Sequence, residues 1–183
     1  MDNDMTKAPA DKAQLGLRIL GIDPGYARTG YAILDCNHDH FRVVDYGLIE
    51  TSAQTPFPER LLTIDRALTS LCDRFSPDAM AIEELFFYRN ITTAIGVAQA
   101  RGVAVAAAAR QGLEIYEYTP MQVKLAVTGY GNAAKEQVQA MVKAILGLRE
   151  VPKPDDVADA IAIAICHGHS GNRKEALAVG GYQ

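Results

Sequence analysis

The sequence predicts an α/β protein on a mixed five-stranded sheet, three strands antiparallel and then two parallel, with helices on both faces. Three observations predict it. Strand-like runs come first, three in succession, joined by short polar connections. Helical spacing then alternates with short apolar runs bounded by turn residues, the order that lays helices on the faces of a sheet. At 183 residues the chain suits one sizeable core and would starve a second.

Each element has its own signal. Leu17–Asp23 is an apolar run stopped by Pro24-Gly25, as a buried strand stops in a turn. Residues 30–35 and 41–50 follow with a polar link at 37–40, completing an antiparallel meander. Residues 58–75 set Leu61, Leu62, Ile64, Leu68, Leu71 and Cys72 at helical spacing, and Pro58 suits a first turn, where its missing N–H is not needed. Ser76-Pro77-Asp78 breaks that helix, and residues 79–83 read as a short buried strand. Residues 92–110 form a long Ala-rich helix whose Gly96, Ala100, Gly102 and Ala104 admit close approach, either by the protomer's own sheet or by a second copy. Glu114–Tyr118 is a strand, residues 120–127 a short helix, 129–132 a loop and 133–146 a further helix. After the Pro152/Pro154 break, residues 155–167 make the last helix. The expected organisation is a disordered extension at 1–15, one domain at 16–170 and a flexible tail at 171–183.

Composition excludes several classes. Apolar residues make up 49% and charged residues 22%, ordinary for a globular chain. No apolar run approaches a bilayer span, and the N-terminus lacks the apolar stretch of a signal peptide, so a cytoplasmic protein is expected. Three cysteines, Cys36, Cys72 and Cys166, are an odd number without a close pair and argue against a disulfide framework. Cys166, His167 and His169 have the wrong spacing for a standard zinc site and no evident fourth ligand. The net charge of −4 argues at first against nucleic acid. Its distribution argues otherwise. Between residues 89 and 143 six cations (Arg89, Arg101, Arg110, Lys124, Lys135, Lys143) face three acids.

Four carboxylates offer chemistry. Asp23 ends the first strand inside Gly21-Ile22-Asp23-Pro24-Gly25, where the backbone is open to a cation, although an Asp before Pro-Gly also serves simply as a turn residue. Glu83 and Glu84 end the next apolar strand, and alternation lets only one of them share a site with Asp23. Asp156 and Asp159 stand i, i+3 on one face of the last helix, with Asp155 before them as an expected N-cap. That helix is otherwise apolar, so its acids lie close to buried surface, where like charges and desolvation both cost free energy. A divalent cation would offset that cost. Oxygen donors of this kind suit Mg²⁺ or Mn²⁺ better than Zn²⁺, and two such ions would serve phosphodiester hydrolysis.

The run Ile19-Leu20-Gly21-Ile22-Asp23-Pro24-Gly25, with Thr29-Gly30-Tyr31 after it, resembles the opening of the RuvC family of bacterial Holliday junction resolvases. Ala81-Ile82-Glu83-Glu84-Leu85-Phe86, Gln99-Ala100-Arg101-Gly102-Val103 and Asp156-Val157-Ala158-Asp159-Ala160-Ile161-Ala162-Ile163-Ala164 resemble it too, in order and with family-like spacing. The resemblance implies a ribonuclease-H-like fold and a homodimer that nicks four-way junctions in recombination and repair. It implies catalytic, metal-binding acids at Asp23, Glu83, Asp156 and Asp159, holding two Mg²⁺ or Mn²⁺ ions with Asp23 between them. Lys124 and Lys135 match positions where the family holds DNA near the scissile phosphate; taken alone they read as solvated lysines. Phe86 matches the family's aromatic that stacks on bases at the crossover, with Phe87 as core; taken alone, aromatics after a strand are more often core. RuvA and RuvB, the branch-migration proteins, are the implied partners.

Other classes stay open to test. A strand ending in Gly-x-Asp-x-Gly also opens the actin-like ATPases and sugar kinases, but those need a second such domain that this length does not allow. A junction-binding module without activity would bind and not nick. A related nuclease acting on RNA would be separated by competition between RNA and DNA.

Overall fold

Side-chain alternation divides the sheet's two faces and fixes what covers each. The computed structural model describes residues 16–38, 40–85 and 91–170, without the side chains of 91–93. Its elements are β1 (Leu17–Asp23), β2 (Arg28–Asn37), β3 (His40–Glu50), α1 (Phe57–Phe75), β4 (Ala79–Glu83), α2 (Ile91–Arg110), β5 (Glu114–Tyr118), α3 (Pro120–Thr128), α4 (Lys135–Ile145) and α5 (Asp155–Ser170). The five strands form one sheet in the order β3-β2-β1-β4-β5. The β1–β2 and β2–β3 pairs are antiparallel and the β1–β4 and β4–β5 pairs parallel, as the order of elements predicts. The expected extension at 1–15 and tail at 171–183 lie outside the described residues.

On one face Leu20, Ile22, Ile33, Met80 and Ile82 pack with Ile64, Leu68 and Cys72 of α1 and Ala100, Ala104 and Ala107 of α2. On the other, Ile19, Ala32, Leu34, Ala81 and Tyr118 pack with α5 and, beyond it, α3 and α4. Lying between the sheet and two helices, α5 is buried almost all round, from Val157 to Cys166 apart from Asp159, and that is why its sequence shows little polar face.

Two glycines let α5 lie flush on the strands. A Cβ at Gly21 would collide with the Ala160 carbonyl oxygen, and one at Gly30 with that of Asp156. These close approaches set the height of the first turn of α5, and therefore of its acids, above the sheet.

Several ends differ from expectation. β2 begins at Arg28, where it already pairs with Glu50 of β3; ladder hydrogen bonds, not apolar pattern, decide that end. α4 begins at Lys135, because the Gln137 side chain reaches back to accept from the Ala134 N–H at 2.8 Å. α5 continues through Gly168 to Ser170, since a Cβ at Gly168 would meet the Phe41 ring and only glycine fits there.

Candidate metal centre

β1 ends at Asp23 and β4, its parallel neighbour, at Glu83, with Ile22 and Ile82 paired just before them. Ile22 and Ile82 face α1 and α2, so alternation turns the next residue of each strand toward α5. There α5 brings Asp156, in its first turn, and Asp159, in the next. Asp156 Oδ2 is buried without a hydrogen bond, 3.4 Å from Arg28 Nη2. Asp159 Oδ2 accepts from Lys135 Nζ at 2.9 Å, and the same ammonium lies 3.3 Å from Asp155 Oδ2. Asp155 Oδ1 accepts from Gln139 Nε2 at 2.9 Å, so both its oxygens turn toward α4 rather than cap their own helix as expected.

The charges do not rest easily together. Burial, then Glu83, Asp159 and Asp156, push the Asp23 carboxyl up to about 8. Burial and Asp159 push Glu83 up to about 7, against the pull of Lys135 and Lys124. Burial also raises Asp159, although Lys135 opposes it. Asp35, at the far end of the sheet, shows the contrast. Burial would raise it too, but the guanidinium groups of Arg18 and Arg42 hold it below the ordinary carboxylate value. An acid that serves the fold is neutralised by its neighbours; the four at the β1–β4 end are neutralised in part only.

These residues fit a divalent cation. The donors are hard carboxylate oxygens, and one of them is buried and unsatisfied. Among the described residues, no three acidic, His or Cys side chains already stand around one point as a closed cage. Two of the acids are instead engaged by Lys135 and Arg28.

A cleft of about 230 Å³ opens beside the acids, lined by Glu83, Asp159, Lys124, Lys135, Val123 and Val138. The capping box of α3, in which Thr119 and Gln122 satisfy each other's backbone N–H, fixes the helix that carries Lys124. Lys135 is therefore not the freely solvated lysine that its sequence context allows. Phe86 and Phe87 lie outside the described residues. The zinc reading at the end of α5 finds no support. His167 is buried, its Nδ1 2.7 Å from the Tyr118 hydroxyl, and His169 Nδ1 lies against the Ala126 carbonyl.

Sequence reasoning missed Arg28 and the linkage of Lys135 to Asp159. Arg28 had a signal: Asp23 pairs with Gly30 across the β1–β2 turn, so Arg28, two residues back, shares the face of Gly30. The Arg101 guanidinium, Nε 3.3 Å from the Glu83 carbonyl oxygen and Nη2 on Glu117, was missed as well.

A family model described as crossover junction endodeoxyribonuclease RuvC matches residues 19–167. A protein of that name from Alkaliphilus metalliredigens is 58% identical over 154 residues, 84% of this chain and 94% of the relative. One from Ruminiclostridium cellulolyticum is 57% identical over 152 residues, 83% of this chain and 92% of the relative. The solved structure of Thermus thermophilus RuvC in complex with a Holliday junction substrate superposes with a TM-score of 0.83 at 39% identity, covering 88% of this chain and 98% of that one.

Proposed function

The chain belongs to the RuvC family of crossover junction endodeoxyribonucleases, and on that premise we propose that it resolves four-way DNA junctions by paired, symmetric nicks. One observation carries this reading. The ends of two parallel strands and the N-terminal part of a buried helix bring four carboxylates together, and their own neighbours compensate them only partly.

In this reading Asp23, Glu83, Asp156 and Asp159 are the catalytic acids and would hold two Mg²⁺ or Mn²⁺ ions. Bound there, the cations would supply an activated water and stabilise the charge developing on the leaving 3′ oxygen. The protein's own part is positional. Gly30 and Gly21 let α5 bring its acids down to the strand ends. Lys124 and Lys135, on the wall of the cleft, hold the phosphate beside Glu83 and Asp159. Phe86, three residues past Glu83, stacks on a base at the crossover; such stacking is worth about 1–3 kcal/mol. The active form is a homodimer, which gives one site to each of two like strands, and RuvA and RuvB deliver the junction. No helix among the described residues is long and apolar enough to cross a membrane, and we place the enzyme with the bacterial chromosome in the cytoplasm.

A nicking assay on a mobile four-way junction tests the activity. Cleavage in Mg²⁺, none in EDTA, and little on linear duplex or an RNA junction are expected. Binding without nicking in any divalent cation would make the protein a junction-binding module, and preference for RNA would make it a ribonuclease.

A further inference from the structure

Lys135 is an odd residue for its position. It is the first residue of α4, where a positive charge opposes the helix dipole and weakens the helix that carries it. What it gains lies across the cleft, near the N-terminus of α5, where Nζ is 2.9 Å from Asp159 and 3.3 Å from Asp155. The two acids differ. Asp159 is half-buried and faces Asp23 and Glu83, whereas Asp155 is exposed and fixed from its other oxygen by Gln139.

We infer that Lys135 is an exchangeable counter-ion: it occupies Asp159 while the centre holds no metal, gives that carboxylate up to the incoming cation, and is thereby freed for the DNA phosphate. Asp155 and Gln139 keep the released ammonium at the rim of the cleft instead of letting it swing into solvent. The geometry allows this without refolding, because the ammonium already touches both acids and loses only one. The exchange makes metal and DNA cooperative. Metal uncovers a cation for the phosphate, and DNA that holds Lys135 removes a competitor from Asp159, the same coupling read from either side. Lys135 acts here through Asp159 and is a positioning residue for metal entry. The inference rests on the carboxylate site proposed above.

Calorimetric titration of the full chain with Mg²⁺, without DNA, tests it in the parent, Lys135→Met and Lys124→Met. Lys124 lines the same cleft, so its variant reports what loss of a nearby positive charge does by itself. A partly exposed ion pair contributes up to about 1 kcal/mol, so Lys135→Met should bind Mg²⁺ about two- to fivefold tighter than the parent, and tighter than Lys124→Met. Lys135→Gln serves as a second variant should the first fold poorly. A second readout uses junction DNA in Ca²⁺. The parent's slope of log K against log salt should steepen by about 0.9 on adding the metal, as one more lysine meets phosphate, and that of Lys135→Met should steepen less by that amount. Equal Mg²⁺ affinities in the parent and Lys135→Met, or equal gains in the two lysine variants, would overturn the exchange and leave the metal site standing. A parent that binds no Mg²⁺ would overturn both.

Discussion

Asp23 carries its charge beside Glu83, Asp159 and Asp156, and burial together with those charges holds its carboxyl near 8. The sign of the resulting pH dependence follows from linkage. An acid whose folded value lies above its ordinary 3.8 binds more protons folded than unfolded, so the metal-free fold loses stability as pH rises from about 4 to about 8. His167 works the other way. Burial lowers it from 6.5 to about 4, so its linked stability grows as pH rises across that interval and is complete above it. The informative window is therefore pH 6.5 to 8, where the two strand-end acids still titrate. In EDTA the melting temperature should fall across this window, and Asp23→Asn should flatten the fall and melt at or above the parent at pH 8. A variant that falls as steeply as the parent would show that Asp23 stores no such repulsion. Asp159→Asn should gain less, since it also takes a partner from Lys135.

At the scale of elements, the glycine seats under α5 join packing to chemistry. Gly30→Ala should push the first turn of α5 off β2, costing about 1–3 kcal/mol of stability in urea unfolding as other over-packed cores do. Because Asp156 rides on that turn, nicking should drop more than junction binding does. Unchanged stability and unchanged nicking would mean that the helix height is not set there. The elements themselves were legible because each has a local cause: an apolar run stopped by Pro24-Gly25 in β1, helical spacing in α1, and the Pro152/Pro154 break before α5. Within the site, strand parity allowed only one of Glu83 and Glu84 to face Asp23, the family resemblance pointed to Glu83, and i, i+3 spacing paired Asp156 with Asp159. What sequence could not supply was pairing at a distance. Lys135 meets Asp159 twenty-four residues away only because α4 and α5 pack together, and Asp155, a good N-cap by type, is drawn off by that same packing. The continuation of α5 through Gly168 was hidden likewise, since Phe41, which requires the glycine, belongs to β3.

For the whole molecule, a net charge of −4 coexists with a cationic cleft wall because the excess acid is partly the candidate metal centre itself. Lys124→Ala should weaken binding to every junction sequence alike and reduce the salt slope by about 0.9 for duplex arms; an unchanged slope would remove Lys124 from the phosphate path. Symmetry sets the larger expectation. A four-way junction has approximate two-fold symmetry, and a C2 dimer would present one carboxylate centre to each of two like strands. The most direct measurement is cleavage of a junction labelled on each of its four strands in turn, in Mg²⁺, by the parent and by Asp23→Asn, with binding followed in parallel. The account predicts nicks at symmetry-related positions on two like strands for the parent, and full binding without nicks for Asp23→Asn. Nicking by Asp23→Asn at the parent's rate would contradict it, and so would cuts scattered over all four strands.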